Sequence, residues 1–151
     1  MASGMANPLF YEKIVPLDTA AHRDLRLRAI DRPFGFAAGA NLIPALVEEF
    51  GAAAPFMPIA FLPGADKPAA VFVAGFKPGK NLFVDAAGGW VGGYLPAYLR
   101  RYPFIMGDVP SAQPILCVDE SFEAIGRSEG TRLFSEAGEA EAALSQALAL
   151  A

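Results

Sequence analysis

Cysteine occurs once in these 151 residues, at Cys117; histidine occurs once, at His22, and tryptophan once, at Trp90. A lone cysteine excludes an intramolecular disulfide, and one cysteine with one distant histidine excludes a cysteine–histidine zinc cluster. Long hydrophobic runs are missing too. The longest uncharged stretch, Phe50 to Ala65, has 16 residues and contains Pro55, Pro58 and Pro63. A membrane-spanning helix needs ~20 apolar residues without such breaks, so no membrane span is expected. The opening MASGMANPLFYEKIVPLD has neither a basic start nor an apolar core. No secretory signal is recognised there, and a cytoplasmic protein is expected. Positive charge is scarce in the second part of the chain. Residues 1–107 carry 10 basic and 8 acidic side chains, residues 108–151 only 2 basic and 8 acidic, within a net charge of −4. That balance argues against general nucleic-acid binding, which needs a broad basic face. One local exception is the series Arg23, Arg26, Arg28, Arg32.

What is present is apolar and heavily punctuated. Hydrophobic residues make up 54% of the chain and charged ones 19%, too apolar for a disordered segment. Alanine (29 residues), glycine (15) and proline (13) favour short elements joined by turns. Length and pattern together predict an α+β protein with a mainly antiparallel sheet of short strands and two or three short helices. Residues 1–9 read as a flexible leader, 10–135 as the α+β domain and 136–151 as the start of a C-terminal helix. Phe10–Leu17 reads as a strand, and Leu25 and Leu27 alternate with Arg26 and Arg28 at strand period. Phe34–Asn41 is a glycine-bearing strand or loop. Asn41 is expected to cap a short helix from Ile43–Pro44, with Leu46, Val47 and Phe50 buried and Gly51 at its end. Pro58–Leu62 and Ala69–Gly75 form the clearest hairpin. A strand at Asn81–Asp85, a turn at Ala86–Gly89 and a helix over Tyr94–Tyr102 follow. Strands are expected at Pro103–Met106 and Pro114–Val118, and an irregular stretch over Ser121–Gly130. The last helix carries Leu144, Leu148 and Leu150 and runs out of chain at Ala151, as a truncated helix would.

No catalytic motif survives inspection. His22-Arg23-Asp24-Leu25 spells the start of a kinase catalytic loop, but Ala29 stands where its asparagine belongs and no glycine loop precedes it. Gly75–Asn81 (GFKPGKN) is one residue short of a phosphate loop and ends in Asn81 rather than Ser or Thr. Asp85, Asp119 and Glu120 lack the spacing of a cation loop, so they read as strand-end acids. Cys117 lies within ILCV, where a thiol is ordinarily inert filler rather than the partner of His22. Arg100 and Arg101 suit a helix C-terminus, and Trp90 and Tyr94 suit aromatic packing. No metal or cofactor is expected.

FYEKIVPLD, HRDLRL, FAAGAN, PIAF, GKNLFVD, GGW, YLPAYLRRYPF and CVDE occur in this order along the chain. From about Phe10 to Phe134 that series resembles the SapC family, bacterial proteins named for a link to surface-array protein. Its most specific parts are Tyr94–Phe104 and Asn81–Asp85. The resemblance implies no agreed activity. Some members are labelled as peptide-transport permeases, which the lack of a span contradicts. Members are typically longer, with a further helical segment. Relatives often neighbour genes for outer-membrane receptors, flavin halogenase-like proteins and cupin-type oxygenases. The missing catalytic constellation, the many apolar residues and the unfinished last helix point to a non-catalytic protein that binds a protein or peptide partner, a second copy of itself included, and the resemblance places that partner in surface-protein or nutrient-acquisition systems. Two other expectations stand beside it: an enzyme using Asp85, Asp119 and Arg100, and a substrate of a cupin-type oxygenase. Core packing does not demand His22, Arg23, Asp24, Arg100 and Arg101. If they converge, they form an anion or carboxylate pocket. With Asp85, Asp119, Trp90 and Tyr94 they are the candidate binding residues.

Overall fold

The computed structural model describes residues 7–64, 66–107 and 113–150. Among them are nine short strands: β1 (Ile14–Pro16), β2 (Arg26–Leu27), β3 (Leu42–Pro44), β4 (Ile59–Leu62), β5 (Ala69–Val73), β6 (Phe104–Gly107), β7 (Ile115–Asp119), β8 (Ile125–Gly126) and β9 (Thr131–Arg132). Three helices accompany them, α1 (Phe50–Ala53), α2 (Ala97–Arg100) and α3 (Ala142–Leu150), with 3-10 turns at Gly35–Ala37 and Val47–Glu49. The strands form three antiparallel three-stranded sheets, the α+β architecture that the pattern predicts. No described helix is long and apolar enough to cross a membrane.

The chain divides into two compact units: the stretches up to Ile30 and from Arg101 onward, and the stretch Asp31–Arg100. The first unit holds the sheets β1-β7-β6 and β8-β2-β9. The central strand β7 pairs on both sides, with Val118 opposite Val15 and Phe104. Having neighbours on two edges, it takes the apolar segment ILCV, and Cys117, Val118 and Asp119 are buried. Leu25, Phe104, Val118, Leu133, Phe134 and Leu144 form one core. Each large side chain fully removed from water there contributes roughly 2 kcal/mol. Leu144 of α3 is part of that core, so this helix has its packing partner within the unit; Leu148 and Leu150 lie outside the described side chains. Of the leader, residues 1–6 lie outside the described residues and Asn7–Leu9 are exposed. The stretch after Asp119 is more ordered than its glycines suggest, because Ile125–Gly126 pairs with Arg26–Leu27.

The second unit holds the sheet β3-β5-β4. The hairpin is present, with Ile59 opposite Phe72 and Leu62 opposite Ala69. Phe72 and Ile43 are fully buried. Four local expectations fail. Ile43–Pro44 is strand rather than helix, because the Asn41 carbonyl takes the Ala74 and Gly75 N–H groups and extends pairing with β5. Gly51 lies inside α1 rather than after it. Leu46 and Val47 are exposed (54% and 69%), and Glu49 is the buried residue of that turn. Its carboxylate takes the Leu46 N–H at 3.1 Å, which sets where the turn begins. Asn81–Asp85 makes only the bridge Val84–Trp90. Asn81 is buried and bends the chain, donating to the Ala37 carbonyl and accepting the Phe83 N–H. The turn before Trp90 needs glycine at 88. Its φ is +77°, and a Cβ there would stand 2.6 Å from the Arg32 Cβ.

Candidate functional site

Two buried carboxylates organise the polar groups, one in each unit. In the first, Asp119 ends β7 with no exposure. Its Oδ1 accepts from Lys13 N (3.0 Å), Ser121 N (3.0 Å) and Ser121 Oγ (2.6 Å), and its Oδ2 from Glu12 N (2.8 Å) and the Tyr102 hydroxyl (3.4 Å). Burial alone would raise the Asp119 pKa, but the Ser121 hydroxyl and the three backbone N–H groups outweigh it, so the carboxyl lies below its ordinary value. Burial, then the Asp119 charge, push the Tyr102 phenol well above its usual range. Tyr102 packs edge-on against Tyr11 and Phe122, with centroids 5.1 and 4.7 Å away. This carboxylate stitches β1, β7 and the following turn together, and all its lone-pair directions are in use.

Next to it along the chain, Glu120 accepts from Lys13 Nζ at 2.8 Å and lies 3.3 Å from His22 Nε2. Lys13 first, and His22 after it, hold Glu120 below its ordinary pKa although burial opposes them. His22 is buried, and its Nδ1 accepts the Asp18 N–H at 2.9 Å. The same Nδ1 lies 3.2 Å from the Asp18 carbonyl, and Nε2 faces Glu120. Asp18 accepts from Ala20 N and Ala21 N and is lowered by those two bonds, which form a turn before β2.

In the second unit, Glu49 Oε1 accepts from the Ala97 N–H at 2.6 Å and the Tyr94 hydroxyl at 2.8 Å, with Arg100 Nη2 3.9 Å away. Burial, then Glu49, raise the Tyr94 pKa. Trp90 Nε1 donates to the Tyr94 carbonyl at 3.0 Å, and its ring stacks on Phe83 at 5.4 Å. Asp85 Oδ1 takes the Gly89 N–H within its own tight turn. Glu49 escapes a reading of the sequence because it sits beside the equally acidic Glu48, in a turn where apolar residues were the natural candidates for burial.

The candidate residues fall in both units, and within each unit only some of them meet. Tyr94 and Arg100 meet at Glu49, with Trp90 supporting Tyr94. His22, Arg23 and Asp24, consecutive in sequence, diverge. His22 faces Glu120, Arg23 donates to the Glu136 carbonyl, and Asp24 lies 4.0 Å from Arg132. Asp85 serves its turn, Asp119 its own knot, and Arg101 is half-buried. Cys117 and His22 are not among each other's partners, and burial raises the Cys117 thiol, keeping it neutral. Among the described residues, no group of three or more His, Cys, Asp or Glu could hold a metal.

The apolar surface is unevenly placed. Of the ten most exposed large apolar side chains among the described residues, eight lie between Leu46 and Val91. Phe76 is 84% exposed and Phe61 61%. Phe76 and Leu82 line an open depression of about 190 Å³ with Lys77 and Lys80. Phe61 belongs to β4, an edge strand inside the 16-residue uncharged stretch. The family model described as SapC matches residues 17–151. No curated protein and no solved structure matches the chain.

Proposed function

Starting from a chain that belongs to the SapC family, we propose a non-catalytic binding protein that docks a protein or peptide partner, in a surface-protein or nutrient-acquisition system. The exposed apolar set of the second unit carries this reading. Burying a side chain such as Phe61 or Phe76 on a partner contributes roughly 2 kcal/mol. The edge position of β4 adds to it. In the β4–β5 register the Ala60 and Leu62 backbones face β5, so the N–H and C=O groups of Ile59 and Phe61 face outward. An extended segment can pair with that edge while its side chains cover Phe61. The acids an enzyme would use weigh the other way: Asp119 and Glu49 are saturated by internal donors, and Asp85 is spent on its turn. Affinity purification and native mass measurement of the protein beside a Phe61→Ser/Phe76→Ser variant test the reading. A defined partner retained by the parent and lost from the variant supports it. A parent that stays a partner-free monomer overturns it.

A further inference from the structure

Arg26, one of the arginines that stand out in an acidic chain, has a specific placement in the first unit, beside Arg132. Leu25 and Leu27 face the core, as do Ile125 and Leu133. Strand alternation therefore puts Arg26, Gly126 and Arg132 on the opposite face of the sheet β8-β2-β9. The register sets them in one row, since Arg26 pairs with Gly126 on one side and Arg132 on the other. Two like charges directly opposed across strands repel. Internal groups compensate them only in part. Arg26 Nη1 donates to the Gly130 carbonyl at 3.0 Å, but its Nε is buried without a hydrogen-bond partner. The acid nearest Arg132 is Asp24 at 4.0 Å, with 65% of the Asp24 side chain exposed. At the third place in the row, Gly126 has no side chain, and a Cβ there would meet nothing within 4 Å. The row thus holds two guanidiniums, with open space over Gly126.

We propose that this row is a carboxylate-binding site that receives an acidic segment of a partner polypeptide. It rests on the reading of the protein as a partner-binding module and names the chemistry of one contact. Planar guanidiniums suit a carboxylate bidentately, and the open space over Gly126 leaves room for a Glu or Asp side chain. The chain's own net charge of −4 disfavours a long polyanion, whereas a short acidic segment needs only the local pair.

The test uses the full chain and a fluorescent hexaglutamate peptide, followed by anisotropy, with hexaglutamine as control. Hexaglutamate binds at low salt and hexaglutamine does not. Raising salt to about 0.2 M weakens binding by about tenfold. Arg132→Gln weakens it by about fivefold or more. Gly126→Glu places a carboxylate in the row itself. It abolishes peptide binding while raising the melting temperature by about 2 °C, an outcome a misfolded variant cannot mimic. Phe61→Ser/Phe76→Ser binds hexaglutamate as the parent does, so the arginine row and the apolar surface fail separately. Absence of hexaglutamate binding overturns the proposal, as does binding that survives Gly126→Glu. Inorganic phosphate competing as well as the peptide at equal ionic strength overturns the polypeptide as occupant.

Discussion

Asp119 takes four hydrogen bonds of 3.0 Å or less, from Glu12 N, Lys13 N, Ser121 N and Ser121 Oγ. All four donate, so only the ionised carboxylate satisfies them together. Its folded pKa lies below the ordinary 3.8. A depressed carboxyl stabilises the fold fully above its unfolded value, and the contribution fades as pH falls through the folded value. Asp119→Asn turns an NH₂ group toward donors and is expected to cost about 3 kcal/mol at pH 7. Urea unfolding of both proteins at pH 7 and pH 3 checks this: the gap narrows at the lower pH. A gap of equal size at both would mean that the charge is not what matters. Sequence reasoning placed Asp119 at a strand end, but there a solvated acid and a buried hub look alike. Two of the four donors come from residues 12 and 13, more than a hundred positions away, and no local pattern announces those.

At the scale of elements, the short helices owe their existence to contacts rather than propensity. α2 has four residues, too few to be stable alone. Pro96 starts its first turn, and the unpaired Ala97 N–H is taken by Glu49 from 48 residues upstream. Glu49→Ala removes the acceptor for Ala97 N–H, Tyr94 hydroxyl and Leu46 N–H at once. It is expected to destabilise the protein by about 3 kcal/mol, and Tyr94→Phe by about 1 kcal/mol. In a double-mutant cycle the two costs fall short of additivity by about 1 kcal/mol. Strict additivity would dismiss Glu49 as the tie between its turn and α2. The elements legible from sequence were those whose signal is local: the β4–β5 hairpin, β6, β7, and α2 behind its proline. β3 escapes the sequence because Pro44 suits a helix start as well as an edge strand, and only pairing with β5 decides between them. The exposure of Leu46 and Val47 escapes it because helical periodicity assigns apolar residues inward. No periodicity shows that a carboxylate has taken the inward place.

At the scale of the molecule, the second unit is one continuous stretch, Asp31–Arg100, while the first is assembled from both ends of the chain. Composition predicts a single domain and gives no sign of this division, since Asp31 and Arg100 lie in no linker-like segment. The continuous unit contains a complete three-stranded sheet, the Glu49 knot and the fully buried Phe72, Ile43, Met57 and Leu99. A 70-residue stretch buries about 60% of its unfolded surface, enough for marginal independent stability. The isolated segment 31–100 is therefore expected to fold, with a free energy of a few kcal/mol. Trp90 lies inside it, stacked on Phe83, and is the only tryptophan of the chain. Its fluorescence reports this unit alone. The fragment should show blue-shifted Trp90 emission and one cooperative urea transition, both lost earlier in urea when Glu49 is replaced by alanine. Emission at the wavelength of a solvent-exposed tryptophan in buffer would mean that this unit cannot form without the rest of the chain. Its apolar residues between Leu46 and Val91 would then owe their places to the whole protein rather than to their own sheet.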